Sequence, residues 1–258
     1  KLQQRLGTGN SDESYSATIK LNPNIILPAR WGIKTPITLG YNNSVSTPKY
    51  HPGSDILTDL ENESLDIKEI QTITEKISFS TSFSKTTRST NWLIKRTLDN
   101  VSLNFSAIRN NKSTNQIFNE TIDNYEASAG YSFTFGKENY INPFKFTKDW
   151  FLIGSVLGEA RYYYTPDKLN VNIGFSEKNT LKIQRSSLND STKSYSFNLG
   201  RKFSLNHKFT KSLTSNYIKQ IESNLDEYRY NKLDIVKQMN PGLVKVISEK
   251  FSNTYSPD

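Results

Sequence analysis

The sequence has no cysteine, one methionine and two histidines in 258 residues. Without cysteine there is no disulfide framework, no thiolate metal site and no cysteine nucleophile. Alanine occurs only six times, so long helices are not expected. Apolar residues make up 34% of the chain, below the roughly 45% of an ordinary globular domain counted with glycine. A transmembrane helix needs roughly 18–20 apolar residues in a row. The longest nearly apolar run here, Trp150 to Gly158, holds nine. The chain opens at Lys1 in polar sequence without an initiator Met or a signal-peptide pattern. It is expected to be an internal piece of a longer protein.

What the sequence does contain is serine (31), asparagine (27), threonine (23), tyrosine (14) and phenylalanine (14). That mixture suits β-strands with one polar face. Alternation with period two recurs along the chain. From Ser194 to Leu205 the odd positions read Tyr, Phe, Leu, Arg, Phe, Leu and the even positions Ser, Ser, Asn, Gly, Lys, Ser. The same rule holds over Tyr15–Leu21, Ile33–Tyr41, Ile77–Phe83, Val101–Ala107, Ala127–Phe135 and Leu169–Phe175, and more weakly over Phe209–Tyr217. Trp150–Tyr164 is a further strand candidate. The pattern predicts about nine strands, many able to reach the 9–11 residues that cross a bilayer at a tilt. The acidic stretch Asp59–Glu75 and the loop over residues 225–240 each leave room for a short helix, and Asn240-Pro241-Gly242 reads as a stop and turn.

Two architectures fit this pattern. A soluble β-sandwich would turn its apolar faces into a dry core. A membrane β-barrel would turn them to lipid, with the polar faces lining a lumen. The polar faces are dense in small uncharged residues, which suits a crowded or hydrated lumen. Aromatics stand near strand ends (Tyr41, Tyr140, Trp150, Tyr162, Tyr163, Tyr164, Tyr217), where interfacial girdles belong. These features favour an all-β chain forming part of an antiparallel transmembrane β-barrel, with long polar loops and one or two short helices. Leu103, Phe105, Tyr131, Phe133, Val171, Ile173, Phe197, Leu199 and Phe203 are then expected to face lipid. An odd number of strands would leave edges that are costly in lipid, so the chain is expected to be one partial wall of a much larger barrel. Arg201 falls on the apolar face, and a bulge or a strand end there would account for it.

The segment Leu27-Pro28-Ala29-Arg30-Trp31-Gly32-Ile33-Lys34-Thr35-Pro36, followed by Thr47-Pro48-Lys49-Tyr50-His51-Pro52 and Asp55-Ile56, resembles the SprA/Sov family. That family comprises the outer-membrane translocons of the type IX secretion and gliding machinery. Asn91-Trp92 through Thr97-Leu98-Asp99 is similar to a second motif that leads into a strand there, and Asn142-Pro143-Phe144 to a turn. The likeness lies within residues 27–145; beyond them only the texture agrees. The resemblance implies a segment of a very long single-chain barrel in the outer membrane of a Gram-negative bacterium, of the Bacteroidetes or a related group. It also implies a pore wide enough for folded cargo bearing C-terminal sorting domains. The implied partners are that cargo in transit, other secretion subunits at the loops, and outer-membrane lipid. Pro28, Trp31, Gly32, Pro36, Thr47, Pro48, Lys49, Tyr50, Pro52, Asp55, Trp92, Thr97, Asp99, Pro143 and Phe144 carry the motifs and are expected to be structural.

Catalytic chemistry finds little support in the sequence. His51 and His207 have no neighbour at metal-ligand spacing, and no nucleotide-binding or zinc-protease motif is present. Asp123, Glu126 and Glu159 lie beside apolar strands, and a carboxylate pair of the glycosidase kind is conceivable, but roles at a lumen or strand end fit them better. The net charge of +8 comes from dispersed Lys and Arg with no basic helix, so nucleic acid is not an expected partner. No cofactor or metal is expected, and the chain is not expected to be an enzyme. A soluble binding module and a different outer-membrane barrel, such as a porin, remain the alternatives to a translocon wall.

Overall fold

A computed structural model describes residues 9–51, 57–58, 67–136, 139–147, 161–237 and 242–255. The strands in chain order are β1 (Asn10–Leu21), β2 (Ile33–Lys34), β3 (Ile37–Pro48), β4 (Thr72–Lys85), β5 (Val101–Ser113), β6 (Ile117–Thr134), β7 (Tyr140–Ile141), β8 (Tyr162–Tyr163), β9 (Lys168–Gln184), β10 (Ser187–Lys208), β11 (Leu213–Asn224) and β12 (Leu243–Tyr255). Among the described residues, three single-turn α-helices sit in the connections: α1 (Ile67–Ile70), α2 (Trp92–Arg96) and α3 (Asp234–Lys237). The long strands form one antiparallel meander in the order β1-β3-β4-β5-β6-β9-β10-β11-β12, with β2 attached beside β4. β7 and β8 pair only with each other. The chain is therefore all-β. A sandwich requires a second layer, and among the described residues no second large sheet stacks on the first.

The alternation survives from strand to strand because the turns preserve parity. Paired residues are both odd or both even, as in Leu39↔Phe79, Phe79↔Ala107, Ala107↔Tyr125 and Ala127↔Phe175. The exceptions are three bulges, at Ile117/Asn119, Ser187/Ser191 and Glu222/Ser223. Odd positions consequently build one apolar face and even positions one polar face across the sheet. On the odd face the apolar band has limits. Toward one end it stops at Glu75, at the cross-strand ion pair Arg109–Asp123 (2.6 Å) and at Glu177. On β6 the band runs from Tyr125 to Phe133, about 27 Å at 3.4 Å per residue.

This apolar face is largely uncovered. Tyr15, Ile19, Leu39, Ile77, Leu103, Phe105, Ile173 and Phe251 are all exposed. The total accessible surface is 18921 Å²; a folded monomer of 29.5 kDa would expose about 11,500 Å². The uncovered face of the sheet contributes to the excess. One part of the face is covered. After β11 the chain turns back over β10, and Leu225 and Ile235 bury Phe197 and Leu199, which are 5% and 3% exposed. The Leu225 amide donates to the Phe197 carbonyl (2.7 Å), and the Phe197 amide donates to Asp226 Oδ1 (2.6 Å). Lys232 pairs with Glu177 beside them. Phe197 and Leu199 are thus not on the open face as the alternation suggests; they seat a flap formed by residues 225–237. Its short helical turns fall where the sequence leaves room for a helix.

Other expectations change in detail. The strand expected over Ile33–Tyr41 is present in one register on β4, interrupted only at Thr35-Pro36. Proline has no N–H to give the ladder. The candidate Trp150–Tyr164 lies mostly outside the described residues. Its end forms β8, and β6 pairs directly with β9, so it adds no strand to the wall between them. β12 takes its place in the count. Of the acidic stretch, Ile67–Ile70 is helical and Thr72–Glu75 already belongs to β4. Arg201 sits at neither a bulge nor a strand end; its Nη2 donates to Ser223 Oγ (2.6 Å) on the neighbouring strand.

Candidate functional site

The even face is where small polar side chains concentrate, and the sheet curls around it. A cavity of about 780 Å³ lies against this face. Its lining draws on seven adjacent strands, from Ser80 and Ser82 on β4 to Lys245 on β12. Seven strands laid flat at about 4.8 Å spacing span about 29 Å, so contact with one cavity requires curvature. Ser106, Ser128, Ser176 and Gly200 form the small-residue floor, and Glu126, Glu222 and Lys245 supply charge. Lys245 reaches inward because it is the extra residue of the bulge opposite Glu222/Ser223, and its Nζ donates to Asn198 Oδ1 (2.9 Å). Asn104 donates to Ser128 Oγ (3.3 Å), and Ser132 donates to Asn170 Oδ1 (2.8 Å). Gly130 leaves room for two polar side chains of this face. A Cβ there would stand 2.8 Å from Ser102 Oγ and 2.9 Å from Asn172 Oδ1.

The carboxylates singled out in the sequence do not converge. Asp123 is on the odd face in its pair with Arg109, whereas Glu126 lines the polar cavity. Glu159 lies outside the described residues. His207 Nε2 is 2.9 Å from the Tyr163 carbonyl and its ring packs on Phe209 at 4.0 Å. It thereby docks the β7–β8 hairpin against the end of β10. Among the described residues, no group of three or more His, Cys, Asp or Glu side chains is placed to hold a metal ion.

The motif residues stand at strand ends, where they tie connections to the wall. Pro28 precedes a 3-10 turn over Ala29–Trp31, and Gly32 follows it with φ +60°. Residues with a Cβ are disfavoured there, and a Cβ would also meet Thr87 Oγ1 at 2.1 Å. The Gly32 carbonyl accepts from the Thr86 amide (2.8 Å), and the Pro36 carbonyl accepts from the Ser82 amide (3.3 Å). The first motif is thereby stitched along β4. At the opposite end of β3, Thr47 Oγ1 accepts from Gln71 Nε2 (2.9 Å), and Thr58 donates to the Pro48 carbonyl (2.9 Å). The Lys49 amide donates to Gly9 (2.9 Å), and Tyr50 bridges to Leu57. Pro52 and Asp55 lie outside the described residues.

The second motif, at Asn91–Asp99, explains itself chemically. Asn91 caps α2 by accepting from the Leu93 amide (2.9 Å), a standard N-cap arrangement. Trp92 opens the helix, and Thr97 Oγ1 donates to the Leu93 carbonyl (2.7 Å) at its end. Asp99 then accepts from Lys85 Nζ, the Ser89 amide and the Ser89 hydroxyl. Burial opposes the Asp99 charge, but the Lys85 ammonium and the two Ser89 donors outweigh it and hold the carboxyl below its ordinary value of 3.8. Gly32 and Asp99 thus meet at the end of β4, one through Thr86 and Thr87, the other through Lys85. Pro143 and Phe144 occupy a separate turn closed by Thr147, whose amide and hydroxyl both donate to the Phe144 carbonyl (3.0 and 2.8 Å). The polar cavity as a unit was not legible beforehand, since Lys245 enters it only through the bulge.

No known protein-family model matches this chain, and no curated protein matches it. Its functional reading rests on the geometry of the wall and on the motifs themselves.

Proposed function

We propose that this chain is a wall segment of a large outer-membrane protein-conducting channel of the type IX secretion kind. The observation that carries the reading is the opposite chemistry of the two faces of one curved sheet. The convex odd face offers exposed Leu, Ile, Phe and Tyr, and the concave even face offers Ser, Asn, Gly and a few charges. Lipid on the first and water on the second is the arrangement in which neither face is mismatched. At the 35–45° tilt usual for such walls, the Tyr125–Phe133 stretch rises about 20 Å, close to the roughly 25 Å apolar band of outer-membrane barrels. Tyr41, Tyr125 and Tyr195 mark one margin of the band; Tyr131, Phe133 and Tyr217 mark the other, where interfacial aromatics belong.

Strand direction supports a larger barrel. The meander alternates direction through β1-β3-β4-β5-β6-β9-β10-β11-β12, so β1 and β12 run parallel. Closing these two edges on each other would need a parallel pair, whereas an odd number of added strands permits antiparallel closure. The motifs resembling the SprA/Sov family then give the channel its cargo class: folded proteins with C-terminal sorting domains.

The mechanism is steric and electrostatic. A closed ladder satisfies every backbone group, so the wall persists in lipid. A hydrated floor of Ser, Asn and Gly gives cargo no apolar surface to adhere to. The stitched loops at the strand ends offer positions for other secretion subunits. The chain makes and breaks no bond. The test is a secretome comparison in the native bacterium after deletion of the gene encoding this chain. Proteins with C-terminal sorting domains are expected to leave the medium and accumulate in the periplasm. Unchanged export would overturn the translocon assignment and leave a different barrel as the reading.

A further inference from the structure

A second cavity, about 600 Å³, lies at the strand-end rim between the β4–β5 connection and the end of β6. Its lining includes Arg88, Lys95 and Arg96, the Trp92 ring, and Phe133 and Phe135. Lys85, also in the lining, is occupied by Asp99. Arg88, Lys95 and Arg96 differ: among the described residues no carboxylate pairs with any of them. Trp92 is 69% exposed, although a tryptophan is an expensive ring to leave in water.

The cavity's position is fixed by one hydrogen bond. Tyr131 is on the apolar odd face, and its hydroxyl donates to the Arg96 carbonyl (2.7 Å). α2 is therefore held over the outer side of β6, above the apolar band and not over the polar trough. Phe133 stacks on Tyr131 (6.4 Å) and meets Phe135 edge-on (4.7 Å), continuing an aromatic surface up to the cations. From the membrane outward the order is apolar band, aromatic ledge, then three guanidinium or ammonium groups around a recess.

We infer that this recess binds the phosphate-bearing headgroup of an anionic lipid, with the acyl chains lying along Tyr131 and Phe133. Arg offers a planar fork matched to phosphate oxygens, and Lys a mobile point charge. The aromatic ledge supplies the amphipathic surface that a lipid has and a free phosphate lacks. This inference rests on the membrane reading above, since it needs the odd face to meet lipid. It adds a fixed lipid position at the rim, which braces the β4–β5 connection against the bilayer.

The test uses the complete barrel of which this chain forms a wall segment, in nanodiscs of phosphatidylcholine with or without phosphatidylglycerol, and native mass spectrometry of the lipids retained on release. The wild type is expected to retain phosphatidylglycerol over phosphatidylcholine. Each of Arg88→Ala, Lys95→Ala and Arg96→Ala is expected to weaken that retention by about tenfold, and the triple variant to abolish the preference. Lys76→Ala, on the even face, is the control and is expected to change nothing. All four side chains are exposed, and unchanged far-ultraviolet circular dichroism shows that the variants fold. A preference that survives the triple variant overturns the inference. So does inorganic phosphate binding at the recess without retained lipid, which would mark a free-anion site. Failure of the wild type to enter nanodiscs at all would instead refute the membrane reading on which the inference depends.

Discussion

Ala129 and Ser128 are neighbours on β6 that point to opposite faces, and this makes them a sensitive pair. Ala129 is exposed in the middle of the apolar band, with Leu103 and Ile173 as its cross-strand partners. Ser128 is exposed on the polar side, where it accepts one long hydrogen bond from Asn104. Consider Ala129→Arg and Ser128→Arg. Neither removes a packed side chain, so the cost reports what lies outside the sheet. If lipid covers the odd face, Ala129→Arg should destabilise by about 2–4 kcal/mol, the cost of a cation near the midplane of a barrel wall. That is roughly a 30- to 900-fold shift in the folding equilibrium. Ser128→Arg should cost no more than about 1 kcal/mol, the worth of the lost hydrogen bond. The assay is guanidinium unfolding of the complete barrel containing this wall in phospholipid vesicles, repeated for both variants. If both variants fall within about 0.5 kcal/mol of wild type, as surface substitutions in water do, the assignment of the odd face to lipid is refuted. A larger loss for Ser128→Arg would refute it as well.

Further outcomes follow from individual residues. Gly32→Ala should cost at least about 1–2 kcal/mol, because φ is positive there and Thr87 occupies the space a Cβ needs; urea unfolding of the variant reads this. Leu225→Ala should weaken the flap by about 2 kcal/mol, the low end for a buried leucine because the cluster it serves is small. Faster hydrogen exchange at the Phe197 amide, which Asp226 holds, is the readout. Asp99 should make the β4–β5 connection acid-sensitive. Its folded pKa is depressed, so its contribution is present above the ordinary value of 3.8 and is lost as the pH falls through the lower folded value. Proteolysis of residues 86–100 by an acid-active protease should therefore increase below pH 3.8 in the wild type, and Asp99→Asn should be susceptible at every pH.

Much of the wall could be read in advance, for a reason visible in the register. The short turn 114–116 keeps parity, and the bulge at Ser187/Ser191 restores it after the turn 185–186, so one odd–even rule holds over most of the sheet from β1 to β11. Where parity breaks, reading fails. β12 is hard to read because its bulge at Lys245 puts Val244 on the apolar face opposite Ser223 but Val246 on the polar face opposite Glu222, before Ile247 and Phe251 resume the odd positions. The first half of β6 was missed for another reason. Asn119, Thr121 and Asp123 are polar although they lie on the odd face, since they stand beyond the apolar band and are held by hairpin pairing with β5 and β9. The flap shows the limit of pattern alone. Phe197 and Leu199 alternate like their neighbours, and only the return of Leu225 and Ile235 distinguishes them. The motif residues were legible as a group, but their purpose was not: Asn91, Thr97 and Asp99 act through hydrogen bonds to backbone groups and to Lys85 and Ser89, which no spacing reveals.

The absence of native cysteine makes the central claim directly measurable. Single cysteines placed at positions 101–107 on β5 and 169–175 on β9 can be probed with a membrane-impermeant maleimide after reconstitution of the complete barrel into lipid vesicles. The account expects a period of two. Cysteines replacing Leu103, Phe105, Val171 and Ile173 should be protected in lipid, and those replacing Ser102, Asn104, Asn170 and Asn172 should react through the aqueous side. Equal labelling at odd and even positions, or protection of the even set instead, would contradict a wall with lipid on its convex face and water on its concave one.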